Sequence, residues 1–209
     1  MRGFVDDEDV DHVSAQAELS AAYLVLMATA GVLSAVALLT NSIPILIGSM
    51  VVAPALAPFA LIAFGLLGGR WRPAARGLWV GGLGLAAAVA AAVGTTWAMN
   101  VLGVLPPELN LLDKPLLEER VNPGWWSVAA GLAAGIAGAL ALAHRKTDTM
   151  VGVVASLALV PAAGAAGIAL LSGDPAKGLG GVALLAINIA MIVVGGLATL
   201  AVMRPARRR

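Results

Sequence analysis

The chain has no cysteine. That excludes disulfides, thiolate metal sites and cysteine nucleophiles. It is also poor in charge: Asp, Glu, Lys and Arg make up 12% of its 209 residues, about half the share found in soluble domains. The charges cluster, so long runs carry none, and no charged side chain falls deep inside a run. This argues against a charge-paired substrate and against a buried proton relay. The only histidines, His12 and His144, lie outside these runs. No acid–base pair, nucleophile–base pair or metal-ligand cluster appears within one. The expectation is therefore no enzyme, no catalytic residue, no metal and no cofactor. A net charge of +1 leaves no basic footprint for nucleic acid.

What the chain does have is apolar length. Sixty per cent of it is hydrophobic, and six segments reach the roughly 20 residues needed to cross a bilayer. They are predicted at 17–40, 43–67, 78–104, 124–143, 150–171 and 179–203. The expected fold is all-α and polytopic. Before the spans lies an acidic stub, 1–16, with Asp6, Asp7, Glu8, Asp9 and Asp11. A signal peptide needs a basic start, so the first run is expected to stay as a span. The stub reads as a solvated tail, with a divalent-metal site at Asp9, Asp11 and His12 as the sharper alternative. A basic tail, 204–209, follows the last span.

Basic residues set the orientation. With the N-terminus in the cytoplasm, ten basic residues fall inside and three outside: Lys114, Arg120 and Lys177. Both termini are then cytoplasmic. Trp125 and Trp126 fall at an outer boundary and Trp71 at an inner one, where interfacial belts place them.

Two of the spans are interrupted in sequence. The first reads Asn41-Ser-Ile-Pro-Ile-Leu-Ile-Gly-Ser-Met-Val-Val-Ala-Pro-Ala-Leu-Ala-Pro58, and the second Met150-Val-Gly-Val-Val-Ala-Ser-Leu-Ala-Leu-Val-Pro161. Proline deletes a backbone donor and frees a carbonyl, which hydrocarbon cannot satisfy. Paired breaks at matching places point to a transport site at the bilayer midplane. A shift of 104 residues lays the fifth span on the second, matching Gly48 with Gly152 and Leu66 with Leu170. If the repeat is real, each half has three spans and the second is inverted. The candidate binding set is Gly48, Ser49, Met50, Pro54, Pro58, Ser156, Pro161 and Asn188. Pro54 and Pro58 either expose carbonyls to a solute or cation, or kink a packed helix. Gly48, Ser49 and Met50 offer close approach and a small polar contact, or a packing patch. Asn188, the most polar side chain deep in the sixth span, either contacts substrate or satisfies a broken backbone. Thr95, Thr96 and Asn100 line an entrance or simply lie near water, and Asn41 and Ser42 are placed to cap the second span. Glu18 and Asp148 read as boundary residues paired with nearby arginines, with a part in proton coupling as the sharper alternative. Gly131, Gly135 and Gly138 share a face of the fourth span, and Gly77 and Gly81 form a second small-residue pair. Such faces allow close helix contact within or between protomers, so a homo-oligomer is expected.

The stretch Leu38-Leu-Thr-Asn-Ser-Ile-Pro-Ile-Leu-Ile-Gly-Ser-Met-Val-Val-Ala-Pro54-Ala-Leu-Ala-Pro58, with Val151 to Pro161 and Ile187-Asn-Ile-Ala190, resembles the bacterial and archaeal membrane proteins called domain of unknown function 389, the uncharacterised hydrophobic domain family. The resemblance covers roughly 18–202. The chain departs from the family pattern at Leu56-Ala57, where Leu-Met is usual, and at the single Pro161, where a Pro-Pro pair is common. Many relatives carry a soluble cytoplasmic domain where this chain has the acidic stub. The resemblance implies a multi-span fold in a bacterial or archaeal cell membrane and no activity. The residues favour a transport protein or channel-like permease for a neutral polar solute or a cation held by carbonyls. The alternative is an oligomeric scaffold or sensor module that transports nothing.

Overall fold

The computed structural model describes residues 5–104, 115–121, 124–144, 149–171 and 175–203. The basic tail, most of the 105–123 connection, the 145–148 turn with Asp148, and 172–174 lie outside the described residues. Among those described, all regular structure is helical: α1 (Asp7–Gln16), α2 (Ala21–Leu39), α3 (Ile43–Val52), α4 (Leu56–Leu67), α5 (Trp71–Val101), α6 (Pro115–Val121), α7 (Trp125–Ala143), α8 (Thr149–Leu171) and α9 (Pro175–Val202).

Four stretches are long and apolar enough to cross a membrane: α2, α5, α7 and Leu179–Val202 of α9. The bent pair α3–α4 makes a fifth. The six expected spans are not all reached, because the apolar stretch described within α8, Ala158–Leu171, is short for a crossing by itself.

Two segments read as connections or tail are helical instead. The arginine-rich stretch after Arg70 forms the first turns of α5. Pro73 sits there at the third helical position, where a missing N–H breaks no helical bond. The tight turn into it needs a left-handed residue, and Gly69 supplies it with φ 71°. Of the acidic stub, Asp7–Gln16 forms α1, and one face of it is docked rather than solvated. Val10 and Val13 are fully buried against Leu61, Phe64 and Leu200. Arg70 ties it down by a 2.6 Å ion pair with Asp11 and a 3.7 Å pair with Asp7. Arg76 adds a hydrogen bond to the Ser14 hydroxyl and a 3.9 Å pair with Glu18. No group of three or more potential metal ligands occurs among the described residues.

Glycine governs how the long helices cross. A Cβ at Gly31 would overlap the Ala88 carbonyl, so α2 meets α5 backbone to backbone. A Cβ at Gly135 would overlap the Ile192 carbonyl, and α7 meets α9 in the same way. Gly131 packs on Met191 and Asn188, and Gly138 on the Leu56 side chain. The glycine face of α7 is thus consumed inside the protomer and is not a free surface for a second copy. Gly77 and Gly81 are likewise occupied, by the Pro58 carbonyl and the Phe59 ring.

These contacts keep one register. Gly31–Ala88 and Gly135–Ile192 are offset by 104 residues in both members, as are Gly77–Ile62 and Gly181–Ala166. Contacts between the halves exchange partners at the same offset. Gly167 meets the Ala92 side chain and Gly196 meets that of Ala63. Gly138 meets Leu56, and the Ser34 hydroxyl donates to the Val160 carbonyl at 3.3 Å.

A candidate binding site where the broken helix pair crosses α8

The α2–α3 turn is closed by Asn41, in the left-handed region at φ 53°, and by a 2.8 Å bond from Ser42 N–H to the Ala37 carbonyl. Ser42 occupies the N-cap of α3 without a side-chain cap bond. Asn41 spends its carboxamide oxygen on the Leu116 N–H instead, at 3.3 Å. Pro44 starts α3 in its first turn, where no helical donor is lost.

α3 ends after ten residues, about 15 Å along its axis, a length of half a hydrocarbon core. Ala53 is extended (φ −80°, ψ 119°), as the residue before a proline is driven to be. Pro54 has no N–H for the Met50 carbonyl. The chain then turns 52° and restarts as α4 at Leu56. Pro58 lies inside the first turn of α4 rather than in the break. It is buried, with its carbonyl against Gly77.

The other expected interruption does not occur. α8 runs through Pro161 as one helix. Neighbouring helices supply donors to the turn before this proline. Asn188 Nδ2 on α9 donates to the Ala158 carbonyl at 2.7 Å, and Ser34 Oγ on α2 to the Val160 carbonyl. The same turn reaches the break in the other half, for Ser156 Oγ donates to the Ala53 carbonyl at 2.8 Å. Ser156 is fully buried and Asn188 is 2% exposed. The carboxamide oxygen of Asn188 is buried and accepts no hydrogen bond.

Of the sequence candidates, Ser156, Pro161 and Asn188 converge on this turn of α8. Ser49 and Met50 are buried in α3, but Ser49 back-bonds to the Leu46 carbonyl at 2.6 Å and Met50 packs with Leu38, Leu46 and Ile168. Gly48 makes no close approach: a Cβ there would meet nothing within 4 Å. Pro54 is exposed on the outer surface of the chain. Thr95 and Thr96 bond back to carbonyls one turn earlier in α5, and Asn100 is exposed. Ala53, Ala158 and Ser34 escaped the sequence reading. The first two act through backbone carbonyls, which no side-chain pattern reports. Ser34 carried a usable signal, as one of the few hydroxyls in the apolar run of α2, with Tyr23 and Thr29.

The chain is 23% identical over 157 residues to an uncharacterized protein of Methanocaldococcus jannaschii. The match covers 75% of this chain and 46% of that protein, so the chain spans about half the length of the curated relative it matches. No solved structure matches. The family model for the domain of unknown function DUF389 matches residues 50–194. That span contains the Pro54 break, the whole of α8 and Asn188, and by it the chain belongs to the DUF389 family.

Proposed function

We propose that the chain is a membrane transport protein or channel-like permease for a small solute or ion. Its site is the turn of α8 that faces the α3–α4 break. The observation that carries this reading is the link from the Ala53 carbonyl through Ser156 to Ala158 and Asn188. It brings Ser156 and Asn188, two of the buried polar side chains, together beside a broken helix, near the depth at which transporters bind cargo.

The architecture of this reading is six spans in two inverted three-helix repeats, α2 to α5 and α7 to α9, with α3–α4 and α8 as the equivalent middle spans. The four pairs of contacts offset by 104 residues support it. Partner exchange in the contacts between halves is what a pseudo-two-fold relation produces, and an odd number of crossings per half inverts the second. The bacterial or archaeal cell membrane and the cytoplasmic placement of both termini rest on the basic-residue asymmetry. Single-cysteine variants of this cysteine-free chain test the orientation. Cysteine at Lys177 should react with an impermeant reagent from outside, and cysteine at Arg72 should not. The reverse pattern removes the orientation.

A homo-oligomer belongs to the same reading, through a different surface from the glycine face of α7. Ile43, Ile47, Val51 and Pro54 are exposed along α3, and Gly48 stands in open space. Irregular backbone at membrane depth is covered by protein or water rather than lipid. Disulfide trapping through Ile47→Cys tests this, and a monomer at every protein concentration ends it.

Flux in proteoliposomes with a panel of small solutes and ions decides the function. Flux that Asn188→Leu abolishes is the expected result; none from well-folded protein across the panel rejects the permease. The docked α1 favours the scaffold or sensor alternative, since a helix fastened to α4 is a handle through which a soluble partner could act.

A further inference from the structure

Among the described residues, the buried side chains at the α8 crossing give their hydroxyl protons to carbonyls and leave an acceptor unpaired, and this selects a ligand class. The buried polar side chains among the described residues are Ser34, Ser49, Thr96, Ser156 and Asn188. A hydroxyl has one proton to give, and all four hydroxyls direct it to a backbone carbonyl: Val160, Leu46, Ala92 and Ala53. Asn188 likewise points its Nδ2 at Ala158. What remains at the crossing is its second N–H and its Oδ1, a buried acceptor with no donor; the other buried unpartnered side-chain atom among the described residues, Arg120 Nε, belongs to α6. The prolines sharpen the bias. Pro54 removes an N–H at the break, and Pro58 removes one from the first turn of α4, the turn whose free N–H groups would otherwise attract an anion. The C-terminal end of α3 meets the break with its last carbonyls and the negative end of its dipole.

An anion needs several converging N–H or O–H donors, and at the crossing the hydroxyls of Ser34 and Ser156 and one N–H of Asn188 already point to carbonyls, leaving a single amide N–H. A divalent cation takes carboxylates, and no Asp or Glu is buried among the described residues. A sugar or zwitterion needs donors and acceptors together. A monovalent cation needs only neutral oxygens. We infer that the α8 crossing binds a desolvated monovalent cation of the sodium, potassium or ammonium class, with Asn188 Oδ1 as its side-chain ligand and carbonyls at the α3 break as neighbours. The inference takes the location of the site from the permease reading, and it goes beyond that reading in naming the class of ligand.

The test is a thermal-melt titration of the purified full chain in detergent. NaCl, KCl or NH4Cl replaces N-methylglucamine chloride at constant ionic strength. At least one cation should raise the melting temperature saturably. Asn188→Asp, which adds charge to the ligand, should lower the half-saturating concentration about tenfold or more. Asn188→Ala should abolish the saturable rise. Absence of a saturable rise with all three cations overturns the inference. So does a rise that follows the anion when chloride is exchanged for gluconate, or one that is unchanged in both variants. The wild-type titration and anion exchange decide alone if the variants fail to fold. Flux assays separate the two ideas. Saturable cation binding without any flux keeps the cation site and removes the permease. Flux indifferent to all three cations, with no melting shift, removes the cation site and keeps the permease.

Discussion

Pro54 and Ala158 occupy the same place in the 104-residue register, yet the chain breaks at one and continues through the other. In the first half, the proline stands where the helix fails. In the second, Pro161 falls three residues beyond the equivalent point, and Asn188 reaches across from α9 to bond the Ala158 carbonyl. The residue in register with Asn188 is Gly84, whose missing side chain leaves room for the Tyr23 ring and hydroxyl. That hydroxyl donates to the Val80 carbonyl in α5 and gives nothing to the break. The two places therefore differ in the position of the proline and in what neighbouring helices donate to the turn before it, although the carbonyl that Pro161 itself leaves without a helical donor is that of Leu157.

The comparison can be broken in several ways, and the largest effect comes from the crossings that frame it. Gly31→Ala and Gly135→Ala should be about equally damaging, near 3 kcal/mol, because each adds a methyl against a carbonyl. Gly82→Ala, where a Cβ meets nothing within 4 Å, should stay within about 0.5 kcal/mol. Melting temperature and monodisperse yield measure both, and a large difference between the two crossings would undo their equivalence. Next comes Asn188→Leu. Removing the donor to a buried carbonyl should cost about 1–3 kcal/mol, and hydrogen exchange should quicken around Pro161; unchanged exchange there would mean that α8 holds itself together. Smaller again is Pro161→Ala, which restores an N–H to a helix that is already continuous. Stability should rise by up to about 1 kcal/mol, and a loss as large as that of Asn188→Leu would show that the proline itself is required. The smallest effect is expected at the surface. Asp11→Asn should lower stability by less than about 1 kcal/mol, and the difference should shrink as salt is raised, since both members of the Arg70 pair are substantially exposed.

The sequence made some of this legible for physical reasons. Pro54 marked its break because the cause is local: one missing donor and one restricted neighbour. The bonds to the turn before Pro161 were hidden because their donors, Asn188 and Ser34, lie on other helices. The glycine face of α7 was visible as a periodic pattern, but periodicity names a face and not its partner. Helix α1 was concealed by composition. Its acidic residues suggested a solvated tail, while Val10, Val13 and Ala17 already repeated at the three- and four-residue spacing of a buried helical face. The candidate site was half visible: the side chains of Ser156 and Asn188 could be read, and the carbonyls they serve could not.

A joint with one arm bolted down behaves differently from a free one. α1 fastens α4 through buried valines and paired arginines, while α3 leaves Ile43, Ile47 and Val51 uncovered along its length. Any swing about Pro54 would then be carried by α3, the arm that leads to the Asn41 turn, while α4 served as the anchor. Strain on α1 would reach the crossing only by loosening that anchor, so this first helix would act as a brake on the joint and not as its motor.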